Sequence, residues 1–101
     1  MSEGGTGVGA IFSAAHRDTA TGAMHGHTWE VTVWLTGRPN AVEKQRKLQG
    51  ILAAIDHTTL PDSIAWGEDL AAHIADMWQD SACVAVDVSR PLERLYARWP
   101  A

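Results

Sequence analysis

The sequence has few of the features that would commit a short chain to a disulfide scaffold, a membrane or a nucleic acid. It contains one cysteine, Cys83, so no internal disulfide can form. No apolar run is long enough to span a membrane, and the opening MSEGGTGVGA lacks the charged and apolar regions of a signal peptide. The net charge of −4 argues against binding a phosphate backbone. We therefore expect a cytoplasmic protein whose partners are neither a membrane nor a nucleic acid.

The composition is that of one ordinary folded domain. Of the 101 residues, 46% are hydrophobic and 20% are charged, and a chain of this length can bury a single core. We predict one domain over residues 1–101, with 1–7 as a flexible entry. The GTGVG near the start of the chain also suggests a phosphate loop, but it does not join a strand to a helix.

Three stretches alternate apolar and polar residues with the period of a half-buried strand. They cover approximately Val8 to His16, His25 to Thr36 and Val84 to Ser89. The inward residues of the second and third stretches are Trp29, Val31, Val33, Leu35, Val84, Val86 and Val88. Cys83 lies at the start of the third stretch, where we expect a buried strand thiol rather than a reactive nucleophile.

Two amphipathic helices are predicted between the second and third strands. The first begins at Asn40, which with Glu43 makes a capping box, and runs to about Ile55; the second runs from about Trp66 to Gln79. Their inward residues are Leu48, Ile51, Leu52, Ile55, Leu70, Ile74, Met77 and Trp78. The order is therefore strand, strand, helix, helix, strand. The tail RPLERLYARWPA either pairs as a short strand or lies over the sheet.

Two histidines stand one residue apart in ATGAMHGHTW, at the start of the second strand. Residues i and i+2 of a strand point to one side, so His25 and His27 project together at the end of the apolar face, where water is scarce. His16 ends the preceding strand, and a hairpin pairing would bring it beside them. Three neutral imidazoles with one open position form a known catalytic zinc site. The alternatives to a metal site are that the HxH pattern occurs by chance or that these are solvated surface histidines.

Four segments resemble one known family in the same order along the chain. They are IFSAAHR, MHGHTWEVTVWLTG, IDHTTL and GEDLAAHIADMW, and the likeness extends from about Ile11 to Pro91. The family comprises the 6-pyruvoyl-tetrahydropterin synthases and the 6-carboxy-tetrahydropterin synthases, the latter being the QueD enzymes of queuosine biosynthesis. The resemblance implies the α+β T-fold, an antiparallel sheet with two helices on one face. It also implies a homo-oligomeric barrel, a trimer or a hexamer.

The resemblance also implies roles for particular residues. The family takes its three zinc ligands from the F-S-A-A-H and H-G-H segments, which makes His16, His25 and His27 the metal ligands and Zn²⁺ the cofactor. The I-D-H segment matches a catalytic Asp–His pair, here Asp56 and His57. A histidine oriented by a carboxylate suits proton transfer on a reduced pterin with a hydroxylated side chain. Without the resemblance, this pair is more typical of a polar helix end.

The sequence departs from the family at the catalytic base and at the substrate anchor. Members carry a cysteine or a glutamate before H-G-H, whereas RDTATGAM offers only Asp18. Ser89 stands where the pterin-anchoring glutamate belongs, and Asp87 or Glu93 could replace that acid only if the register slips. The helix-start motif keeps its glutamate, Glu68, but has a tryptophan in place of threonine. The candidates for substrate binding are therefore Glu68, Trp66 and Ser89.

Two hypotheses about function follow from the retained and the lost residues. The first is a zinc-dependent lyase similar to 6-carboxy-tetrahydropterin synthase, acting on dihydroneopterin triphosphate or a related compound. The second is a catalytically reduced paralogue that serves as a metal-binding, ligand-binding or assembly subunit.

The segment HGHTWEVTVWLTG also approaches the cupin metal motif. Its glutamate, Glu30, comes one residue early and lies on the strand face opposite His27. Two amphipathic helices are also difficult to place in a cupin.

Overall fold

A long β-hairpin forms the centre of the computed structural model, which describes residues 5–18 and 20–100. Strand β1 (Thr6–Arg17) pairs antiparallel with strand β2 (Met24–Leu35) along its whole length. β1 begins two residues before the predicted start, so Thr6 and Gly7 belong to the sheet rather than to a flexible entry. Residues 1–4 of that predicted entry lie outside the described residues.

Five strands make one sheet with the order β3-β1-β2-β4-β5. Strand β4 (Cys83–Arg90) pairs antiparallel with β2, and the tail supplies β5 (Leu95–Trp99), which pairs antiparallel with β4. The tail therefore pairs as a strand instead of lying over the sheet. The short β3 (Thr58–Thr59) was not predicted, and it runs parallel to β1. The sheet is consequently mixed rather than wholly antiparallel.

Two helices connect β2 to β4. Helix α1 (Ala41–Ala53) begins after Asn40, whose side-chain oxygen accepts a hydrogen bond from the Glu43 backbone N–H at 3.1 Å, so the predicted N-cap is confirmed. Helix α2 (Gly67–Trp78) follows a single 3-10 turn over Asp62–Ile64. In the described part of the chain, no helix has the length and apolar character needed to cross a bilayer.

The core lies between the two helices and one face of the sheet. Its largest fully buried side chains are Trp78, Leu35, Leu48, Leu60, Leu70, Ile74, Val31, Val33, Val86 and Val88. Met77 was predicted to face inward but is exposed. The buried stripe of α2 runs along Leu70, Ala71, Ile74 and Trp78, which leaves Met77 at its edge.

A β-bulge explains a second departure from the predicted pattern. The register between β2 and β4 shifts, so that Trp34 faces Ala85 whereas Leu35 faces Cys83. Val84 is left unpaired and exposed, although it was predicted to share the inward face of the next two valines. Cys83 instead packs partly against the core, and burial raises the pKa of its thiol. This environment agrees with a strand thiol rather than a reactive nucleophile.

Candidate functional site

Two of the three predicted metal ligands meet at the end of the helix-covered face of the sheet. His27 and His16 are diagonal neighbours across the β1–β2 pair, since His27 lies opposite Ala14 and His16 lies opposite His25. Their Nε2 atoms are 3.0 Å apart. His16 is 2% exposed, and it is the polar residue that the described core buries.

The other nitrogen of each ring is held by an oxygen that can only accept a hydrogen bond. His16 Nδ1 donates to the Ala65 carbonyl at 2.8 Å, and His27 Nδ1 donates to Glu93 Oε1 at 2.9 Å. Each neutral ring therefore keeps a lone pair on Nε2, as metal-ligating histidines do. Burial lowers the pKa of His27, and this favours the neutral ring.

A third side chain, which the sequence did not identify, reaches the same point. Arg90 Nη1 lies 3.2 Å from His16 Nε2 and 3.0 Å from His27 Nε2, so it donates to both rings. The guanidinium also lies 5.6 Å from the centre of the Trp29 ring. The available signal was strand parity, because Arg90 shares its face of β4 with buried Val88.

The third predicted ligand stands apart from this pair. His25 points to the same side of β2 as His27, and the centres of their rings are 6.1 Å apart. Its side chain is exposed, so the expectation that water is scarce there was wrong. Ala65 and Trp66 contact the buried His16, whereas His25 is open to solvent. Within residues 5–18 and 20–100, no three His, Cys, Asp or Glu side chains are arranged as a ligand set.

The paired imidazoles nevertheless fit a zinc ion in their chemistry. Two nitrogens bound to one tetrahedral zinc at its usual bond length lie roughly 3.3 Å apart, which is close to the 3.0 Å between these Nε2 atoms. Both Nδ1 protons are also held by oxygens, as such ligands require. The donors fit the metal, but the Arg90 guanidinium now uses their lone pairs.

The predicted acid–base pair is held at the outer edge of β1. Asp56 Oδ1 accepts the Ser13 backbone N–H at 3.0 Å and lies 2.9 Å from His57 Nδ1. The His57 backbone N–H in turn donates to the Ser13 carbonyl at 2.6 Å. His57 has φ of 59°, in the left-handed region that few residues other than glycine adopt. The hydrogen bonds to Ser13 hold the backbone there, and the imidazole is 80% exposed.

An open cleft joins the acid–base pair to the histidine pair. Its volume is about 590 Å³, and His27, His57 and Glu93 are among the residues that line it. A small molecule in this cleft could therefore contact His57 of the first pair and His27 of the second. The loop acid Asp18 plays a different part, because its carboxylate accepts the Ala20 backbone N–H at 2.8 Å and stabilises the turn between β1 and β2.

Two of the three predicted substrate-binding residues lie together, and the third does not. Trp66 and Glu68 line a second cavity, of about 250 Å³, which they share with Arg90. Ser89 pairs with Glu30 and Tyr96 on the opposite face of the sheet, the face that the helices leave uncovered.

The acids near Ser89 in the chain have other partners. Asp87 is bound by Arg98, with distances of 2.6 and 2.9 Å, and this hydrogen bonding lowers the pKa of the Asp87 carboxyl. It also accepts the Trp34 indole N–H at 2.8 Å. Glu93 is the acid that reaches the histidine pair, through its hydrogen bond to His27.

Comparison with solved structures identifies the fold. The sheet and its two helices form the α+β T-fold of the pterin synthases. The structure of Caenorhabditis elegans 6-pyruvoyl tetrahydropterin synthase superposes on the chain with a TM-score of 0.81, covering 100% of this chain and 97% of that one, at 16% sequence identity. At the level of sequence, neither protein-family models nor individual curated proteins match the chain. The structural likeness therefore shows the fold, as the resemblance implied, and this fold is not that of a cupin.

We expect the Asp56 carboxyl to titrate below its ordinary value of 3.8, chiefly because the Ser13 N–H stabilises the carboxylate. In His57→Asn the pKa of Asp56 should rise yet remain below 3.8, since the hydrogen bond from the Ser13 N–H, the largest cause of the lowered pKa, is still present. Because the folded pKa is the lower one, the carboxylate stabilises the fold above pH 3.8, and this contribution is lost as pH falls through the folded pKa. Carbon-13 NMR measures the titration, with Asp56→Asn identifying the signal. If the pKa of Asp56 returned fully to 3.8 in His57→Asn, the imidazole rather than the Ser13 N–H would be the main cause of the lowered pKa.

Proposed function

We propose that this protein is a zinc-dependent lyase similar to 6-carboxy-tetrahydropterin synthase. The observation that carries the proposal is the pair of Nε2 atoms, 3.0 Å apart, beside a cleft that His57 also lines. His16 and His27 would hold the ion with His25 as the third ligand, and the ion would supply Lewis-acid polarisation of a substrate oxygen.

The Asp56–His57 pair supplies the acid–base function in this proposal. Asp56 accepts a hydrogen bond from His57 Nδ1, which leaves Nε2 as the atom that takes or returns a proton. The Ser13 N–H fixes the Asp56 carboxylate, and the carboxylate in turn orients the imidazole, so this orientation is anchored to a strand backbone. His57 faces the cleft, where a substrate carbon or hydroxyl can approach it.

The proposed substrate is a reduced pterin with a hydroxylated side chain, such as dihydroneopterin triphosphate. Trp66 and Glu68 line the cavity beside Arg90, and together they offer an aromatic face and an acceptor for ring N–H groups. Ser89 lies on the other face of the sheet and is not part of this proposed pocket. The T-fold of this chain and the resemblance of its sequence segments to the pterin synthases support a pterin as substrate rather than an unrelated heterocycle.

A second candidate function is favoured by the Arg90 contacts. A guanidinium bound to both imidazoles satisfies the nitrogens that would bind a metal. The family's early cysteine is also missing, and Asp18 stabilises a turn instead of replacing it. These observations support a catalytically reduced paralogue, acting as a ligand-binding or assembly subunit.

We expect the metal site to hold about one zinc ion per chain when zinc is supplied. His27→Ala and His25→Ala should each lose the ion, because a catalytic zinc depends on three protein ligands. His73→Ala is the matched control, since this half-buried histidine lies on α2. Elemental analysis after gel filtration measures the bound metal. Full retention of zinc by both ligand variants would remove the metal site from the proposal.

Turnover tests the proposed reaction. We expect slow conversion of dihydroneopterin triphosphate, because the chain lacks the family's cysteine, and His57→Asn should lower it by about 10²-fold or more. Asparagine tolerates the left-handed backbone, so this variant removes the base without adding strain. Cys83→Ser, on the core side of β4, should leave the rate unchanged.

Product formation is measured by chromatography. A rate that disappears in Cys83→Ser but survives in His57→Asn would place the base at the thiol instead. Tight pterin binding with no product in the wild-type protein would favour the binding subunit.

We also propose a homo-oligomer, a trimer or hexamer, formed by pairing of sheet edges. On the outer side of β1, only Ala14 and Ala15 pair with another described strand, while side chains and loop backbone bind Gly9 and Ser13. The stretch between these two residues and the outer edge of β5 have no strand partner among the described residues. Ile11 lies on the open part of β1, with its backbone directed outward like that of Ser13.

The assembly is tested by removing one outward N–H. Ile11→Pro should dissociate the oligomer, because proline cannot donate to a neighbouring strand, while Ile11→Thr keeps the N–H and should leave the assembly intact. Sedimentation equilibrium measures the mass. A wild-type monomer at micromolar concentration would contradict this proposal.

A further inference from the structure

A positive side chain lies where the two imidazole nitrogens converge. The Nδ1 atoms of both rings donate to oxygens, those of Ala65 and Glu93, so the one acceptor left on each neutral ring is Nε2. Arg90 Nη1 is 3.2 Å from one Nε2 and 3.0 Å from the other. A guanidinium can only donate, so it satisfies both lone pairs at once.

The same lone pairs would have to bind a metal. An sp² imidazole nitrogen has a single lone pair in the ring plane, which either accepts a hydrogen bond or coordinates an ion. A metal ion at about 2.0–2.1 Å from both nitrogens would also meet the guanidinium as a like charge. His16 is buried, so little water separates the two charges.

We infer that Arg90 is an internal competitor for the metal, so that the histidine pair holds either the guanidinium or a divalent cation. This inference rests on the metal site of the proposed function and adds the residue that sets the affinity of that site. A divalent cation binds only when Arg90 withdraws from both Nε2 atoms.

The surroundings of Arg90 allow such a withdrawal. No carboxylate of the described residues forms an ion pair with Arg90, so its charge-assisted contacts are those with the two imidazoles. The cavity that Arg90 lines also contains Glu68, whose carboxylate offers another acceptor on the same cavity wall. The proposal places the withdrawn guanidinium in this cavity, on the side of Glu68.

Zinc affinity of matched variants tests the inference. Arg90→Met removes the N–H donors of the guanidinium and keeps an unbranched side chain. This variant should bind zinc at least about tenfold more tightly than wild type, because two charge-assisted hydrogen bonds no longer compete with the ion. Arg94→Met removes the same charge from an exposed position in the same hairpin, and its affinity should remain within about twofold of wild type. Competition with a chromogenic chelator measures each dissociation constant.

The outcomes separate this inference from the metal site itself. Equal and measurable affinities in wild type and Arg90→Met would overturn the competition and leave the metal site intact. Zinc binding by Arg90→Met alone would support the competition, while the zinc dependence proposed for the wild-type enzyme would fail. Binding by neither protein would overturn both.

A measurement on the unaltered chain gives an independent test, because Arg90 packs beside Trp29 and its replacement affects local packing. In proton–nitrogen NMR spectra, the Arg90 Nε–H signal, assigned with Arg90→Lys, should shift or broaden as zinc is added. Saturation of the histidine pair with zinc while this signal stays unchanged would overturn the inference.

Discussion

The antiparallel register between β1 and β2 is the constraint on which the site depends. It places His16 diagonally across from His27, with the two rings on the face that the helices cover. A slip of one residue would turn one ring to the uncovered face and would also move Val31 and Val33 out of the core. The hydrophobic core and the histidine pair are thus fixed by the same set of backbone hydrogen bonds.

A hydrogen-bond donor or a metal ion is what this pair of neutral rings requires. Two neutral imidazoles with lone pairs 3.0 Å apart repel each other unless a donor or a metal lies between them. Arg90 supplies the donor from β4, which pairs with β2 on the side away from β1. The site therefore depends on three adjacent strands, and the donor that satisfies both imidazoles comes from a residue far along the chain from the H-G-H segment.

Sequence reasoning predicted the parts of the structure that follow from periodicity. The alternation of Trp29, Val31 and Val33 gave the correct buried face of β2, and Asn40 gave the start of α1. The bulge at Val84 and the two-residue strand β3 have no periodic signal, because each depends on pairing with a distant segment. Strand parity places Arg90 on the buried face of β4, but its two partners are brought close only when the sheet forms.

β1 supports the two candidate chemical groups in different ways. Its backbone edge at Ser13 binds Asp56 and His57, while its side-chain face presents His16 three residues further along. Three residues of strand span roughly 10 Å, so one small group cannot touch both. A molecule that contacts His57 and the histidine pair together therefore has to extend along the strand. Because both groups are mounted on one strand, their separation changes little unless the sheet itself deforms.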